Sequence, residues 1–282
     1  MRVDVSFVTA TYNCLNYTKE FFESLKDTVD GINYEIIFVD DCSTDGTRDY
    51  LKSIESETVK VVLNEENQGF AANNNLGVEM ASAEIVGLLN NDLLLKKGWL
   101  EPMLKAIKEF DKIGSVGNVQ LNPKTELIDH AGIFFDLLGR PAHARKNRQS
   151  PPSGDYLEWN AVTAACMLIK KSVFDAVGGF DTQYINGCED VDLCVRLKGE
   201  GYRHFVANKS VIYHHVSSSP DRHKFNDDNS KLFMDRWQDQ TKIWGKTEWP
   251  KEYLMRYMRQ WWRFNFTKLV KAVYLLLTSS KR

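Results

Sequence analysis

Glu35-Ile36-Ile37-Phe38-Val39-Asp40-Asp41-Cys42-Ser43-Thr44-Asp45-Gly46-Thr47 is the stretch whose reading decides the fold. Its apolar run predicts a buried strand over Glu35 to Val39, its polar middle a turn, and the residues from Thr47 to Glu55 have helical spacing. A strand that feeds directly into a helix is half of a βαβ unit. The pattern recurs on both sides, with strands expected at Val3 to Thr9, Val59 to Leu63 and Ile85 to Leu89, and a helix at Thr18 to Thr28. Alternation of this kind implies an α/β fold: a Rossmann-like, mostly parallel sheet with helices on both faces. Each strand also stops at a polar cluster: Thr11-Tyr12-Asn13, Asp40 to Ser43, Asn64 to Gly69, and Asn90-Asn91-Asp92. Ligands of open parallel sheets lie outside the carboxyl ends of the strands, so these clusters converge on one crevice.

The rest of the composition fits a folded enzyme-sized chain. Its 282 residues are 43% hydrophobic and 26% charged, enough apolar content for one large core or two small ones. A formal net charge of -2 gives no reason to expect nucleic acid as a partner. Five cysteines, with no C-x-x-C pair, suggest neither a disulfide framework nor a zinc knuckle. The first residues run into Val3, Val5, Phe7 and Val8 and read as a strand, not as a signal peptide. No window reaches the ~18 to 20 apolar residues of a membrane span.

After Trp99 the pattern changes to α+β. A helix is expected to about Phe110, strands at Ser115 to Gln120 and Ala161 to Ile169, and a hairpin around Ile133 to Leu138. Further helices are expected at Lys171 to Val177 and Asp190 to Glu200, and two short strands at His204 to Val206 and Val211 to Tyr213. Gly139 to Asp155, with Arg140, Arg145, Lys146 and Arg148, reads as a long basic loop, either functional or simply solvated. From Asn229 the chain is helical and aromatic.

Four constellations could carry chemistry. Asp40 and Asp41 follow a strand and precede a helix; turn chemistry explains Ser43 to Gly46, whereas the paired carboxylates suit hydrogen bonds from a nucleobase or ribose. Asn90-Asn91-Asp92 offers the hard oxygens a divalent cation prefers, although such triplets are also ordinary turns. Glu189, Asp190 and Asp192 open a helix whose dipole favours acids. Asp192 can pair with Arg196 one turn on, which leaves Glu189 and Asp190 toward the loop side. His214-His215 ends a strand, where either metal ligation or a structural role is open.

Taken in order, these residues resemble the family 2 glycosyltransferases of GT-A fold, especially the bacterial rhamnosyltransferase-like members. The resemblance covers roughly Val3 to Ser219. It rests on V-T-A-T-Y-N (Val8 to Asn13), V-D-D-C-S-T-D-G-T (Val39 to Thr47), N-Q-G-F-A-A-N-N-N-L-G (Asn67 to Gly77), L-N-N-D (Leu89 to Asp92), G-G-F-D (Gly178 to Asp181) and E-D-V-D-L-C (Glu189 to Cys194). It implies a nucleotide-diphosphate sugar as donor and a glycan or lipid-linked glycan as acceptor. The donor site would comprise Ala10, Tyr12, Asp40, Asp41, Gly69, Phe70, Asn75, Asn90 and Asn91. Asp92 and His214 would hold Mg²⁺ or Mn²⁺ on the diphosphate, with His215 as the substitute. Asp190, flanked by Glu189, would be the catalytic base of an inverting transfer. The chain departs from the family's Asp-x-Asp pattern, because Asn90 stands at the first position and a neutral amide binds such cations more weakly than a carboxylate.

The implied organisation is a catalytic domain over 1–220, divided into a nucleotide-sugar half (1–95) and an acceptor half (96–220), followed by a C-terminal helical extension (221–282). In that extension Trp249, Tyr253, Tyr257, Trp261, Trp262, Phe264 and Phe266 alternate with lysines and arginines. Such a helix suits a membrane surface, or a packed face on the catalytic domain or a second subunit of a homodimer. Surface-glycan synthesis in the cytoplasm, at the inner face of the cytoplasmic membrane, is the expected setting. The rival expectations are a non-catalytic nucleotide-sugar or carbohydrate-binding protein of the same fold and, more remotely, a nucleotide-sugar pyrophosphorylase. The latter would need a glycine-rich basic loop where this chain has Thr11-Tyr12-Asn13-Cys14.

Overall fold

The computed structural model describes residues 2–215, 225–257, 262 and 265–279. The first half runs β1 (Val5–Thr11), α1 (Leu15–Thr28), β2 (Tyr34–Asp40), α2 (Thr47–Ile54), β3 (Val59–Leu63), α3 (Gly69–Met80), β4 (Ile85–Leu89), β5 (Leu93–Leu94) and α4 (Leu100–Glu109). The second runs β6 (Ile113–Leu121), β7 (Ile128–His130), β8 (Ile133–Phe135), β9 (Pro141–His143), β10 (Tyr156–Trp159), β11 (Cys166–Lys170), α5 (Lys171–Ala176), α6 (Glu189–Gly199) and β12 (Arg203–His214). Two helices, α7 (Asn226–Tyr257) and α8 (Phe266–Ser279), follow.

Strands β3, β2, β1 and β4 are parallel neighbours, in register from Val5 opposite Tyr34 to Thr11 opposite Asp40. The main sheet then continues through antiparallel β11 to β6, β12 and β10, so the order is β10-β12-β6-β11-β4-β1-β2-β3. A strand buried on both faces must be apolar throughout, and the period of two sends alternate residues to opposite cores. Val8, Ile37 and Val39 enter the core under α3 and α6, while Phe7, Ile36 and Phe38 enter the one under α1 and α4. Helix α3 comes so close to β1 that a Cβ on Gly77 would lie 2.3 Å from the Val8 side chain.

The four parallel strands lie where the sequence places them, to within two residues. The second half departs from expectation in three places. The two short strands expected at 204–206 and 211–213 are one strand, β12, whose polar Asn208-Lys209-Ser210 is a bulge against β6 and not a turn. The buried strand expected from Ala161 begins only at Cys166. The basic stretch after Gly139 is not a free loop. It contains β9, which pairs with β8, and it is fastened by Ala144 N to Gly132 O (2.8 Å), Asn147 N to Ile128 O (2.7 Å) and Ile128 N to Arg148 O (2.8 Å).

Helix α7 is part of the second half's core. Phe233 is fully buried and stacks parallel to Phe135, and a Cβ on Gly245 would lie 2.0 Å from the Asp136 carbonyl oxygen. The expected boundary between residues 220 and 221 lies outside the described residues. Along α7, Glu248 accepts hydrogen bonds from the Phe135 amide (2.9 Å) and the Asn160 side chain (2.6 Å). Burial pushes this carboxyl up to about 7, against the opposing effect of those two donors. The folded protein therefore binds a proton there that the unfolded chain has already lost, and stability falls as pH rises from about 4.5 to about 7. At about 1.4 kcal/mol per pKa unit the contribution is of order 3 kcal/mol. Urea unfolding of Glu248→Gln should lack this component, so wild type loses stability relative to the variant across that pH range.

Candidate active site

The crevice is built from the carboxyl ends of β1, β2 and β4. Asp40 is wholly buried, and its Oδ2 accepts from the Ser43 amide (3.0 Å) and pairs with Arg48 (3.3 Å). Asp41 reaches across the crevice to the start of α3, accepting from the amides of Gln68 (2.6 Å) and Gly69 (3.0 Å). It thus caps a helix remote in sequence, satisfying two of the amides that a helix start leaves free. Tyr12, 37% exposed, and half-buried Ala10 stand on the same rim.

Next to this rim is a cavity of about 330 Å³ lined by Phe70, Asn90, Gln120, Thr163, Ala164, His214 and the segment from Asn186 to Val191. That segment turns through positive φ at Asn186 (56°), Gly187 (155°) and Cys188 (72°), a conformation costly for its two non-glycine residues. The turn delivers Asp190 into the first turn of α6, where the helix dipole favours its anion. Asp190 Oδ2 accepts from the Ala164 amide (3.0 Å) and Oδ1 from the Val191 amide (2.8 Å). A carboxylate offers about four lone-pair positions, so Asp190 is both fixed and still able to accept a proton. Glu189 folds back on its own turn, accepting from the Gly187 amide at 2.5 Å. Asp192 is structural, as its spacing suggests: it binds Arg196 (2.6 Å), Trp237 Nε1 (2.7 Å) and the Tyr184 hydroxyl (3.2 Å). Cys188 is no nucleophile, because burial and then its three acidic neighbours push the thiol up to about 12.

The other wall carries an imidazole–carboxylate pair. His214 Nε2 lies 3.1 Å from Asp92 Oδ1, and its Nδ1 lies 2.9 Å from Gln120 Oε1. Since that amide oxygen can only accept, Nδ1 donates to it, which turns Nε2 toward Asp92. Nearby Asn90 Oδ1 is buried without a hydrogen-bond partner. A carboxylate oxygen, an imidazole lone pair and a spare amide oxygen fit a divalent cation that completes its shell with phosphate and water. Among the described residues no cluster of three or more His, Cys, Asp or Glu side chains could hold a metal unaided. His215 cannot replace His214, because successive residues of an extended chain point to opposite sides. Its ring packs on Tyr17 (4.6 Å between centroids) and its Nε2 lies 3.5 Å from Glu20.

Of the residues singled out from sequence, Phe70, Asn90, Glu189, Asp190 and His214 share the cavity, with Asp92 against His214. Asn75 and Asn91 are corrections. Both polar atoms of the Asn75 amide bind the Phe180 backbone, donating to its oxygen (2.8 Å) and accepting from its nitrogen (2.9 Å). The Asn91 amide donates to Thr18 Oγ1 (2.9 Å) behind β4. Asp41 and Gly69 meet each other in the α3 cap. Sequence reading missed Gln120, Asp129 and His143, which also line the cavity, as does Lys146 of the basic stretch. Gln120 had a readable signal, being polar together with Asn118 on one side of an otherwise apolar strand.

The sheet is mixed and not mostly parallel as expected, its four parallel strands being continued through antiparallel β11, and the fold is GT-A. The profile described as "Glycosyl transferase family 2" matches residues 6–178, and the chain belongs to that family. It is similar to "O-antigen biosynthesis protein RfbC" of Myxococcus xanthus, with 30% identity over 53% of this chain and 12% of that protein. It is also similar to "N-acetylglucosaminyl-diphospho-decaprenol L-rhamnosyltransferase" of Mycobacterium tuberculosis, with 25% identity over 47% of each. The fold is that of the mannosyltransferase PcManGT of Pyrobaculum calidifontis, solved with GDP-Man and Mn²⁺: TM-score 0.62, 17% identity, 99% of this chain and 76% of that one. The chain spans 25%, 12% and 42% of the lengths of the first three curated relatives that it matches.

The structural assignment of Asn75 has a direct check. Asn75→Ala leaves both Phe180 backbone groups without their partner and should lower unfolding free energy by about 2 to 4 kcal/mol. Exposed Tyr12→Ala should stay within about 0.5 kcal/mol of wild type in the same denaturant titration.

Proposed function

We propose that this chain is an inverting glycosyltransferase that moves a sugar from a nucleotide-diphosphate donor to a hydroxyl of a saccharide or lipid-linked saccharide during surface-glycan synthesis. The observation that carries the reading is Asp190, a carboxylate fixed by two backbone amides in the cavity that also contains His214. An acceptor hydroxyl attacking the anomeric carbon must lose a proton, and Asp190 is placed to take it. A single displacement inverts the anomeric configuration and needs no second carboxylate as nucleophile. This agrees with Glu189 being turned onto its own loop. Tyr12 and the Asp41-capped start of α3 would receive the nucleotide, with Asp40 supporting that turn from beneath, and Asn90 would touch ribose or sugar. Asp92 and His214 would hold Mg²⁺ or Mn²⁺, which when bound stabilises the negative charge of the departing diphosphate.

Residues 1–95 would form the donor half, 96–220 the acceptor half, and 221–282 an extension that shapes the acceptor side. The two named relatives support surface glycans as the product class and rhamnose as one candidate sugar. A location at the inner face of the cytoplasmic membrane is the setting we propose; membrane contact there is supported by α8, whose Phe266, Val270, Val273, Tyr274 and Leu277 are exposed along one stripe, beside Lys268 and Lys271. Among the described residues no helix is long and apolar enough to cross a membrane. A second reading, a non-catalytic nucleotide-sugar binder, is favoured by Asn90 in place of a carboxylate.

Nucleotide sugars screened for thermal stabilisation with and without Mn²⁺ would identify the donor. With that donor, Asp190→Asn should bind as wild type does but lose at least about a hundredfold in transfer rate. Undiminished turnover would remove Asp190 from the mechanism, and a wild type that binds donor yet transfers nothing would leave the binder reading standing. Vesicle flotation of the full chain against one ending at Pro250 tests the membrane assignment, which predicts flotation of the full chain alone.

A further inference from the structure

A second, smaller cavity of about 90 Å³ adjoins the one containing Asp190, and His143 and Lys146 line both. Its lining includes four cations, Arg145, Lys146 and Arg148 from the turn after β9 and Arg256 from the end of α7, against one carboxylate, Glu252. The stacked rings of Trp249 and Tyr253, 4.9 Å apart and 20° from parallel, also line it. Such a lining, cationic with a single carboxylate, suits a phosphoryl group.

The cations are placed by the fold. Arg145 and Asn147 hold left-handed φ of 61° and 64° in a turn tied to β7 by Asn147 N to Ile128 O (2.7 Å) and Ile128 N to Arg148 O (2.8 Å). Arg145 is braced by Glu252, which lies 3.2 Å from its Nε and accepts from its amide at 3.2 Å, and Lys146 pairs with Asp129 at 2.8 Å. Arg256 is exposed at the mouth. Asn90 and His214 line the larger cavity and not this one, so it is separate from the place assigned to the donor's diphosphate.

The geometry points to this cavity as a subsite for a phosphoryl group carried by the acceptor, lying beyond the sugar whose hydroxyl faces Asp190. The assignment to the acceptor rests on the transferase reading given above. The chemistry recognised is a phosphate or diphosphate ester, bound by charge-assisted hydrogen bonds from the arginines.

The probe is inorganic pyrophosphate, titrated calorimetrically into the full chain in metal-free buffer at low and physiological salt. Saturable binding is expected, weakened about tenfold by Arg256→Gln or Arg148→Gln, weakened by salt, and unchanged by Asp92→Asn. Absence of binding, or binding that both arginine variants leave intact, overturns the subsite, as does binding abolished by Asp92→Asn. Phosphatidylglycerol vesicles provide the second arm. If Arg256→Gln releases the chain from vesicles while pyrophosphate does not bind, the cations serve a bilayer headgroup, and the acceptor assignment is wrong. The two proposals fail separately: transfer that depends on Asp190 without pyrophosphate binding removes only the subsite, whereas pyrophosphate binding with Asp190-independent transfer removes only the assigned base.

Discussion

Asp192 and Arg196 pair at 2.6 Å inside α6, and much of the cavity is fastened to that pair. The Asp192 carboxylate takes the indole N–H of Trp237 and the Tyr184 hydroxyl, which draws α7 and the preceding turn against α6. The Arg196 guanidinium donates to the carbonyl oxygens of Val177 (2.6 Å) and Gly179 (2.8 Å), and Asn75 then locks Phe180 to α3. Removing one member of a buried pair leaves the other charge uncompensated, at a cost of roughly 3 to 5 kcal/mol. The pair anchors the first turns of α6 and with them Asp190, which lies two residues before Asp192 and whose own carboxylate accepts from the Ala164 amide. The G-G-F-D and E-D-V-D motifs are two sides of this joint. Their acids divide the work: Asp181 binds Arg236 of α7, Asp192 holds the joint, and Asp190 faces the cavity.

The opposite wall depends on a single proton. Gln120 Oε1 can only accept, so the hydrogen bond from His214 Nδ1 fixes the ring's orientation and turns Nε2 toward Asp92. Under the proposed reading, a motif with Asn90 in place of an acid would still offer a cation one carboxylate from the strand ends and the imidazole as second strong donor. Asn90 adds an uncharged oxygen buried without a hydrogen-bond partner.

The first half was legible because its determinants are local. Strands β1, β2 and β4 are short apolar runs closed by turn residues and buried on both faces, with β3 at the edge. The second half was less legible because its determinants are remote. Nothing near Asn208 says that its amide is needed by Ser153 and Gly154, so a bulge reads as a turn. Nothing near Asn75 reveals Phe180, and three consecutive asparagines read as a polar ligand surface although two are buried and the third is a clamp. Gln120 could have been found, since a polar residue on a strand otherwise buried and apolar calls for a partner. His130 would have misled, because it is wholly buried, pushed well below the ordinary histidine range first by burial and then by His143, and accepts the Gly132 amide.

This contrast between local and remote determinants bears on specificity. The nucleotide rim is made of residues close in sequence to strand ends, so the backbone topology nearly dictates it. The cavity beyond Asp190 draws on the turn after β9 and on a helix more than a hundred residues later, joined by Glu252 to Arg145 and by Glu248 to Phe135 and Asn160. Such a surface can change while the strand ends stay the same. A substitution on α7 moves the basic turn without touching Asp92, His214 or the α3 cap. The shape of this cavity thus depends on how α7 seats against β8 and β9, and Glu248 lies in that seam, accepting from Phe135 and Asn160.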